Sequence, residues 1–567
     1  MSSTTTWLPR IAVGFAIVAA LGACWMIPGR LGLGRDSNYY LFGFVGDEYT
    51  YAQHIQPLVA GASAANPDNY AGDRGAISPF FLENALRAFL TATGLKVVDL
   101  FWAWRIFFPP VLLACAVLLA RACCPHGCTR RTTWGTALAI ASGTSAFIAL
   151  YFLYDRLTSL MPLQGWLNRI PTNVEFPLSV LIAWACVRFI RRPSAGRGAC
   201  LSVLCAALVY ARFYAAIPWA ICIPVMMAGL LISKRMNLRV ALITAATLGA
   251  ALAPWAAVLM FNSSRPVYQQ MVARYFPAQA YRFPVTWPLL LSLAGVLLAQ
   301  SFFVHRRFRM LLRGCALALI ALIFVSGAFS FAREVTQFDR YTSFYLVAVV
   351  LGFCLMLGSR IPSLRGEVAT VFGQSWAIRL SLVAVATALV VGKANATFDF
   401  GACGGQYESV REDLPTVHAY RWIAEHTPAE AVFLVDDGCD WSGPPLSQSN
   451  ESDLCVPGSR EYTLWVRSDL FSIVARRQVI FHSRMYGNLL SDRDVGELVF
   501  LHCGTFGAGK EAGISPEAYM QALKRFKPTH ILWRNTPGLR GYGAKLLKYK
   551  TLLYSDGVCQ VWEIGTW

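Results

Sequence analysis

Charge is what this chain has least of. Only 14% of its 567 residues are charged, whereas 56% are hydrophobic and the mean hydropathy is +0.45. Soluble domains are about one quarter charged, so a string of soluble domains is excluded and a polytopic membrane protein is indicated. An internal repeat is also missing, and most acids sit at span ends or in loops; both absences speak against a transporter or flippase built from paired repeats with charges at mid-membrane. No standard zinc spacing is present, since the cluster Cys123-Cys124-Pro125-His126-Gly127-Cys128 matches none. A convincing small-residue cleavage site is lacking after the first apolar run, which ends in Cys24-Trp25-Met26-Ile27-Pro28 and reads as a retained signal anchor.

What is present is a series of apolar runs. Stretches near twenty residues, long enough to cross about 30 Å of hydrocarbon as helix, occur near 9–28, 102–122, 133–153, 175–192, 199–215, 216–233, 239–261, 287–304, 312–331, 342–359 and 377–394. The sequence therefore predicts about eleven transmembrane helices. Arg212 and Pro218 leave only a tight turn between the fifth and sixth runs.

Charge asymmetry orients the bundle. With a cytoplasmic N-terminus, the inner loops hold eighteen Lys and Arg residues against one acid, Glu367, while the outer side of the membrane half holds fifteen basic residues and eleven acids. Loops rich in Lys and Arg stay on the cytoplasmic side. The same distribution explains the net charge of +18: the basic residues lie in short inner loops and do not form a basic face on a soluble element, so nucleic acid is not a partner. The bilayer is.

From about residue 395 the composition changes and helix-like and strand-like segments alternate. Val417 to His426 and Pro516 to Lys527 read as helices, Ala431 to Val435 and Thr529 to Trp533 as strands, Leu470 to Phe481 as further core, and Leu552 to Ile564 as a hairpin around Ser555-Asp556-Gly557. The chain is thus divided into a transmembrane domain, 1–394, and a soluble α/β domain, 395–567, predicted to be extracytoplasmic. Five cysteines fall in the latter, Cys403, Cys439, Cys455, Cys503 and Cys559, which permits at most two internal disulfides.

Four outer features combine acids with arginines. Asp47 and Glu48 stand in Gly46-Asp47-Glu48-Tyr49-Thr50-Tyr51, in the first loop after span one. Adjacent side chains diverge by about 100° on a helix, so one carboxylate reaches a substrate while its neighbour holds structure. Arg265, Arg274 and Arg282 lie in the loop between spans seven and eight, Arg340 and Tyr341 just before span ten, and Asp155 and Arg169 after span three. Arginine matches phosphate oxygens bidentately and keeps its charge when partly buried. A carboxylate can take the proton of an attacking hydroxyl. Each arginine taken singly equally suits a lipid headgroup or a salt bridge, and the combination is what suggests a phosphate-bearing substrate.

Together these features resemble the GT-C superfamily of integral-membrane glycosyltransferases, and within it the bacterial relatives of protein mannosyltransferases and lipid A aminoarabinose transferases. The resemblance rests on the acidic pair after span one, the span number, Arg340-Tyr341 before a late span and the soluble α/β tail. The tail's opening segment, Tyr420-Arg421-Trp422-Ile423-Ala424-Glu425-His426-Thr427-Pro428 followed by Ala431-Val432-Phe433-Leu434, is also similar to members of that group. The resemblance implies a polyprenyl-phosphate-linked sugar as donor, a glycan, lipid or protein hydroxyl as acceptor, and transfer on the outer face of a bacterial plasma membrane. It implies Asp47 as general base with Glu48 as second choice, and Arg340 with one of Arg265, Arg274 or Arg282 on the departing phosphate. Inversion by direct displacement follows, with no cofactor and no metal ligand assigned, although a divalent ion is compatible with the site. Competing readings are an O-antigen polymerase or ligase, against which the soluble tail counts, a transporter or flippase, and a noncatalytic cell-envelope assembly protein.

Overall fold

The computed structural model describes residues 55–57, 81–123, 174–264, 287–301, 306–328, 344, 347–352, 354–355, 415–435, 471, 474–480, 501, 504–506, 515–534, 542–547 and 550–565. By internal contacts the chain forms two compact units. One comprises Met1–Ile27, Trp102–Ala256 and Ala278–Gly401, the other Pro28–Phe101, Ala257–Pro277 and Ala402–Trp567.

The first unit is helical because its runs lack interruption and a backbone in hydrocarbon must satisfy its own polar groups. Following α1 (Phe81–Thr93), described below, its helices are α2 (Val97–Cys123), α3 (Glu175–Arg191), α4 (Ala195–Ile232), α5 (Leu238–Ser263), α6 (Trp287–Ser301) and α7 (Arg306–Ala328). Three segments among the described residues are long and apolar enough to cross a membrane: Ala195–Phe213, Ala215–Ile232 and Leu238–Ser263. The runs near 9–28, 133–153 and 377–394 lie outside the described residues. Compared with the expected run from 312, α7 begins earlier, at Arg306, because Arg307 and Arg309 can continue a helix while carrying their charges beyond its apolar part.

The break between the fifth and sixth runs falls at Arg212, whose backbone is extended (φ −162°, ψ 92°) inside α4. Contacts on either side show that the chain reverses there. In the first arm, Ser202 Oγ donates to the Thr244 carbonyl (2.8 Å), Tyr210 Oη to the Ala251 carbonyl (2.6 Å), and Phe213 packs on Trp255 with centroids 5.8 Å apart. That arm therefore runs parallel to α5. In the second arm, Trp219 meets Phe344 edge to face at 5.0 Å, Cys222 Sγ lies 3.7 Å from Cys315 Sγ, and Gly229 faces Met310. Later residues of this arm meet earlier residues of α7, so the two are antiparallel.

Small residues draw these helices close, as in other lipid-embedded interfaces. A Cβ added at Gly314 would stand 2.8 Å from the Cys222 carbonyl oxygen, and one at Gly229 would stand 2.6 Å from Met310 Sδ. The core between them contains Cys186, Phe189, Trp219, Met226 and Leu319, all buried.

In the second unit, α1 carries Glu83, Arg87 and Leu90 on one buried face while Phe89 is 47% exposed. Its remaining described elements are α8 (Pro415–His426), β1 (Val432–Val435), β2 (Gln478–Val479), α9 (Pro516–Phe526), β3 (His530–Arg534), α10 (Tyr542–Leu547), β4 (Thr551–Ser555) and β5 (Cys559–Glu563). The sheet order is β2-β1-β3-β5-β4; β1 is parallel to β2 and β3, and β5 is antiparallel to β3 and β4. The α/β character and both helices of the tail expected from periodicity are thus present, as is the hairpin. Gly557 adopts φ +83° at its tip, and Asp556 Oδ1 accepts from the Val558 and Cys559 amides at 2.9 and 2.6 Å.

Caps set the helix limits. Ser515 Oγ accepts from the Ala518 amide at 3.1 Å ahead of Pro516, and Lys527 closes α9 in a left-handed conformation. At the end of α8, Arg477 Nη2 donates to the carbonyls of Ala424 (2.9 Å) and Thr427 (2.5 Å), and its Nε to Thr427 Oγ1 (3.0 Å). A guanidinium on the last carbonyls also answers the negative end of the helix dipole.

His530, at the start of β3, is 4% exposed, stacks on Phe433 at 4.8 Å and has Nδ1 2.8 Å from Thr529 Oγ1. Burial pushes its pKa below the ordinary histidine value, with Glu563 opposing and Arg477 reinforcing. Its folded pKa is depressed, so the unfolded chain binds the proton more readily. The neutral ring's contribution is full above the unfolded pKa and is lost as pH falls through that value toward the folded pKa. Hydrogen exchange at β1 and β3, corrected for intrinsic rates, should therefore report weaker protection at pH 5 than at pH 7.5, and His530→Gln should remove most of that difference. Equal pH dependence in the variant would show that His530 is not the titrating group.

Candidate functional site

All of the site residues predicted from the sequence, Asp47, Glu48, Asp155, Arg169, Arg265, Arg274, Arg282, Arg340 and Tyr341, lie outside the described residues. What the structure supplies is the described scaffold, and a charged pair that hydropathy alone does not reveal.

That pair is Glu175 and Arg212. Glu175 is the first residue of α3 and 1% exposed, and its Oε2 lies 3.2 Å from Arg212 Nε, on a side chain 14% exposed. An acid in the first turn of a helix is favoured by the exposed amides there. Arg212 occupies the extended residue between the two arms of α4. Since α3 descends from Glu175 while the first arm of α4 rises to Arg212, the pair marks one end of the bundle. The opposite end gathers Arg188, Arg192 and Arg197, with Arg197 Nη1 donating to the Arg188 and Arg192 carbonyls at 2.9 and 3.2 Å. The second arm of α4 returns there, closing with Lys234 and Arg235 after Ile232.

A guanidinium whose Nε faces a carboxylate is held in one orientation, and its planar fork is the group that matches phosphate or carboxylate oxygens. The same pair also serves a structural purpose by letting the chain turn without leaving a lone buried charge. The signal for it in the sequence is an isolated acid and an isolated arginine in otherwise apolar runs. Two further buried charges, Glu83 (3% exposed) and Arg87 (5%), lie within the first loop on α1, and Arg87 Nη1 donates to Asn84 Oδ1 at 3.2 Å. Their spacing with Leu90 puts polar groups where an amphipathic helix ordinarily buries apolar ones.

The tail shows packed polar groups that serve its fold. Tyr519, hydrogen-bonding distance from Thr505 (3.1 Å), has its phenol pushed up to about 12 by burial. Arg477 is engaged with helix carbonyls, as described. Trp422 lies between His426 and Tyr554, with centroid distances of 4.8 and 5.0 Å. Among the described residues no group of three or more His, Cys, Asp or Glu side chains is placed to hold a metal ion.

No protein-family model matches the chain. No curated protein matches it either. Among solved structures it is similar to ArnT from Cupriavidus metallidurans bound to undecaprenyl phosphate, at 13% identity and a TM-score of 0.48, over 99% of this chain and 98% of that one.

Removing one member of the Glu175–Arg212 pair should strand the other in a nearly dry site. Glu175→Gln or Arg212→Met should each cost about 3–5 kcal/mol, whereas the double variant should cost much less than the sum. Thermal unfolding of the purified protein in detergent checks this, and additive losses would show that the two charges are not coupled.

Proposed function

We propose that the chain is an integral-membrane glycosyltransferase of the GT-C type, moving a sugar from a polyprenyl-phosphate donor to an acceptor hydroxyl on the extracytoplasmic face. The observation that carries this reading is the polarity of the bundle. Basic side chains from the ends of α3 and the starts of α4 and α7 gather at one end, while Glu175, which with Asp99 makes up the acids among the described residues of α2–α7, stands at the other. Basic loops remain cytoplasmic, so the Glu175 end faces outward. By span count, the loop holding Asp47 and Glu48, the segment holding Arg340 and Tyr341, and the tail share that side.

The grouping of Pro28–Phe101, Ala257–Pro277 and Ala402–Trp567 in one compact unit supports the same assignment for the first loop, the start of the loop after span seven and the tail, all of which the span count puts outside. Cysteines introduced at Asp68 and Ser447 should both react with an impermeant reagent in intact cells. Labelling at one and not the other would overturn the topology.

In the proposed reaction Asp47 takes the proton from the acceptor oxygen as that oxygen attacks the anomeric carbon. The bond to the lipid phosphate breaks on the opposite face, and Arg340, with Arg265, Arg274 or Arg282, takes up the developing phosphate charge. Phosphate leaves without a separate acid, and configuration inverts. Tyr341, Asp155 and Arg169 are placed as outer contacts to substrate, and the tail shapes acceptor access.

Asp47→Asn retains shape but removes proton acceptance, so turnover should fall by about a hundredfold or more with donor binding kept. Arg340→Ala should instead weaken donor binding, since phosphate is contacted before and during the reaction. A larger loss in Glu48→Gln than in Asp47→Asn would move the base to Glu48. Unchanged transfer of lipid-linked sugar in all three variants would refute the proposed site.

A further inference from the structure

The basic end of the bundle is more than a topological marker. Arg188 lies over Trp184 with Cζ 5.1 Å from the ring centroid and is exposed. Arg192, also exposed, caps α3, and Arg197 at the start of α4 is tied by Nη1 to the carbonyls of both. A second group forms where α3 meets α7. The guanidinium carbons of Arg191 and Arg307 lie 5.9 and 5.0 Å from the Phe308 ring, which is itself 4% exposed.

Five guanidiniums thus converge from three helix ends. Among the described residues of α2–α7 the carboxylates are Asp99 and Glu175, in the first turns of α2 and α3, and Glu175 stands about 25 Å of helix from this end. Like charges held this close repel one another, and a partner bearing negative charge relieves the repulsion. The guanidiniums of Arg191 and Arg307 themselves lie against a buried aromatic at the ends of their helices, a cation–π arrangement that holds both charges on one ring. Nearby apolar surface at the same end is open: Ile232 is 83% exposed, Leu238 63% and Leu242 60%.

We propose that this end binds an anionic phospholipid whose headgroup carries two phosphates. One phosphate meets Arg188, Arg192 and Arg197, the other Arg191 and Arg307, and the acyl chains lie along the exposed apolar faces. Two separate groups of cations favour two linked phosphates over one. The open apolar surface beside them favours a lipid over a soluble anion. This ligand is distinct from the donor of the proposed reaction and engages the opposite end of the bundle.

The test uses the full-length protein in neutral detergent. Tetraoleoyl cardiolipin and dioleoylphosphatidylglycerol are supplied at equal phosphate, with dioleoylphosphatidylcholine as a reference, and bound lipid is counted by native mass spectrometry beside the thermal midpoint. Cardiolipin should be retained preferentially and raise the midpoint most. The double variant Arg191→Gln/Arg307→Gln should weaken its binding by roughly tenfold or more, the scale of losing two surface cations. Lys524→Gln/Lys545→Gln, which removes two exposed cations of the tail, should have a much smaller effect. Equal retention of the two anionic lipids, an equal loss in both double variants, or the same midpoint shift with inorganic pyrophosphate would each overturn the proposal. The wild-type lipid competition stands on its own if a variant fails to fold. None of these measurements reads sugar transfer, so the outcome is separate from that of the proposed catalytic site.

Discussion

The path of the membrane bundle depends on the placement of one charge. At Arg212 the chain leaves helical geometry for a single residue and doubles back, which interrupts the hydrogen-bond ladder and sets a guanidinium beside apolar helices. Hydrocarbon tolerates neither an open amide nor a lone cation. Glu175 answers the cation, and the aromatic contact of Phe213 with Trp255 packs the region around the turn. From that pair the remaining directions follow: α3 leads away from it, both arms of α4 meet at it, and α5 rises toward the same level.

The helices were the most legible part of the sequence because hydropathy is summed over about twenty residues and survives errors at single positions. Arg212 was legible as a turn. Its partner was not, since Glu175 opens a different apolar run and a single acid is averaged away. In the tail, periodicity locates α8, α9 and the β4–β5 hairpin to within a few residues. The order β2-β1-β3-β5-β4 follows instead from pairings between segments far apart in the chain, such as Phe433 with His530. Arg477 has no signal at all, because a cation that caps a helix through three carbonyl and hydroxyl contacts looks in sequence like any surface arginine.

The candidate catalytic groups are legible in a different sense. Asp47 and Glu48 announce themselves through chemical type and position, as an acid pair directly after a membrane run. Which arginine faces which carboxylate depends on how loops from distant spans come together, and no local pattern encodes that. Buried charges such as Glu83 and Arg87 on α1 are hidden for the opposite reason: their helix has ordinary amphipathic spacing, and only its orientation reveals that charged residues face inward.

The contact between Gly314 and the Cys222 carbonyl, supported by Gly229 against Met310, has a consequence for how a long-chain molecule can enter this fold. Backbones that approach so closely leave no crevice between the second arm of α4 and α7, and widening one would require both helices to move. An isoprenoid tail therefore cannot thread that seam. The looser flank is α5, where Leu238, Leu242 and Met260 are exposed, so a lipid arriving from the bilayer meets a closed wall on one side and an open helical surface on the other.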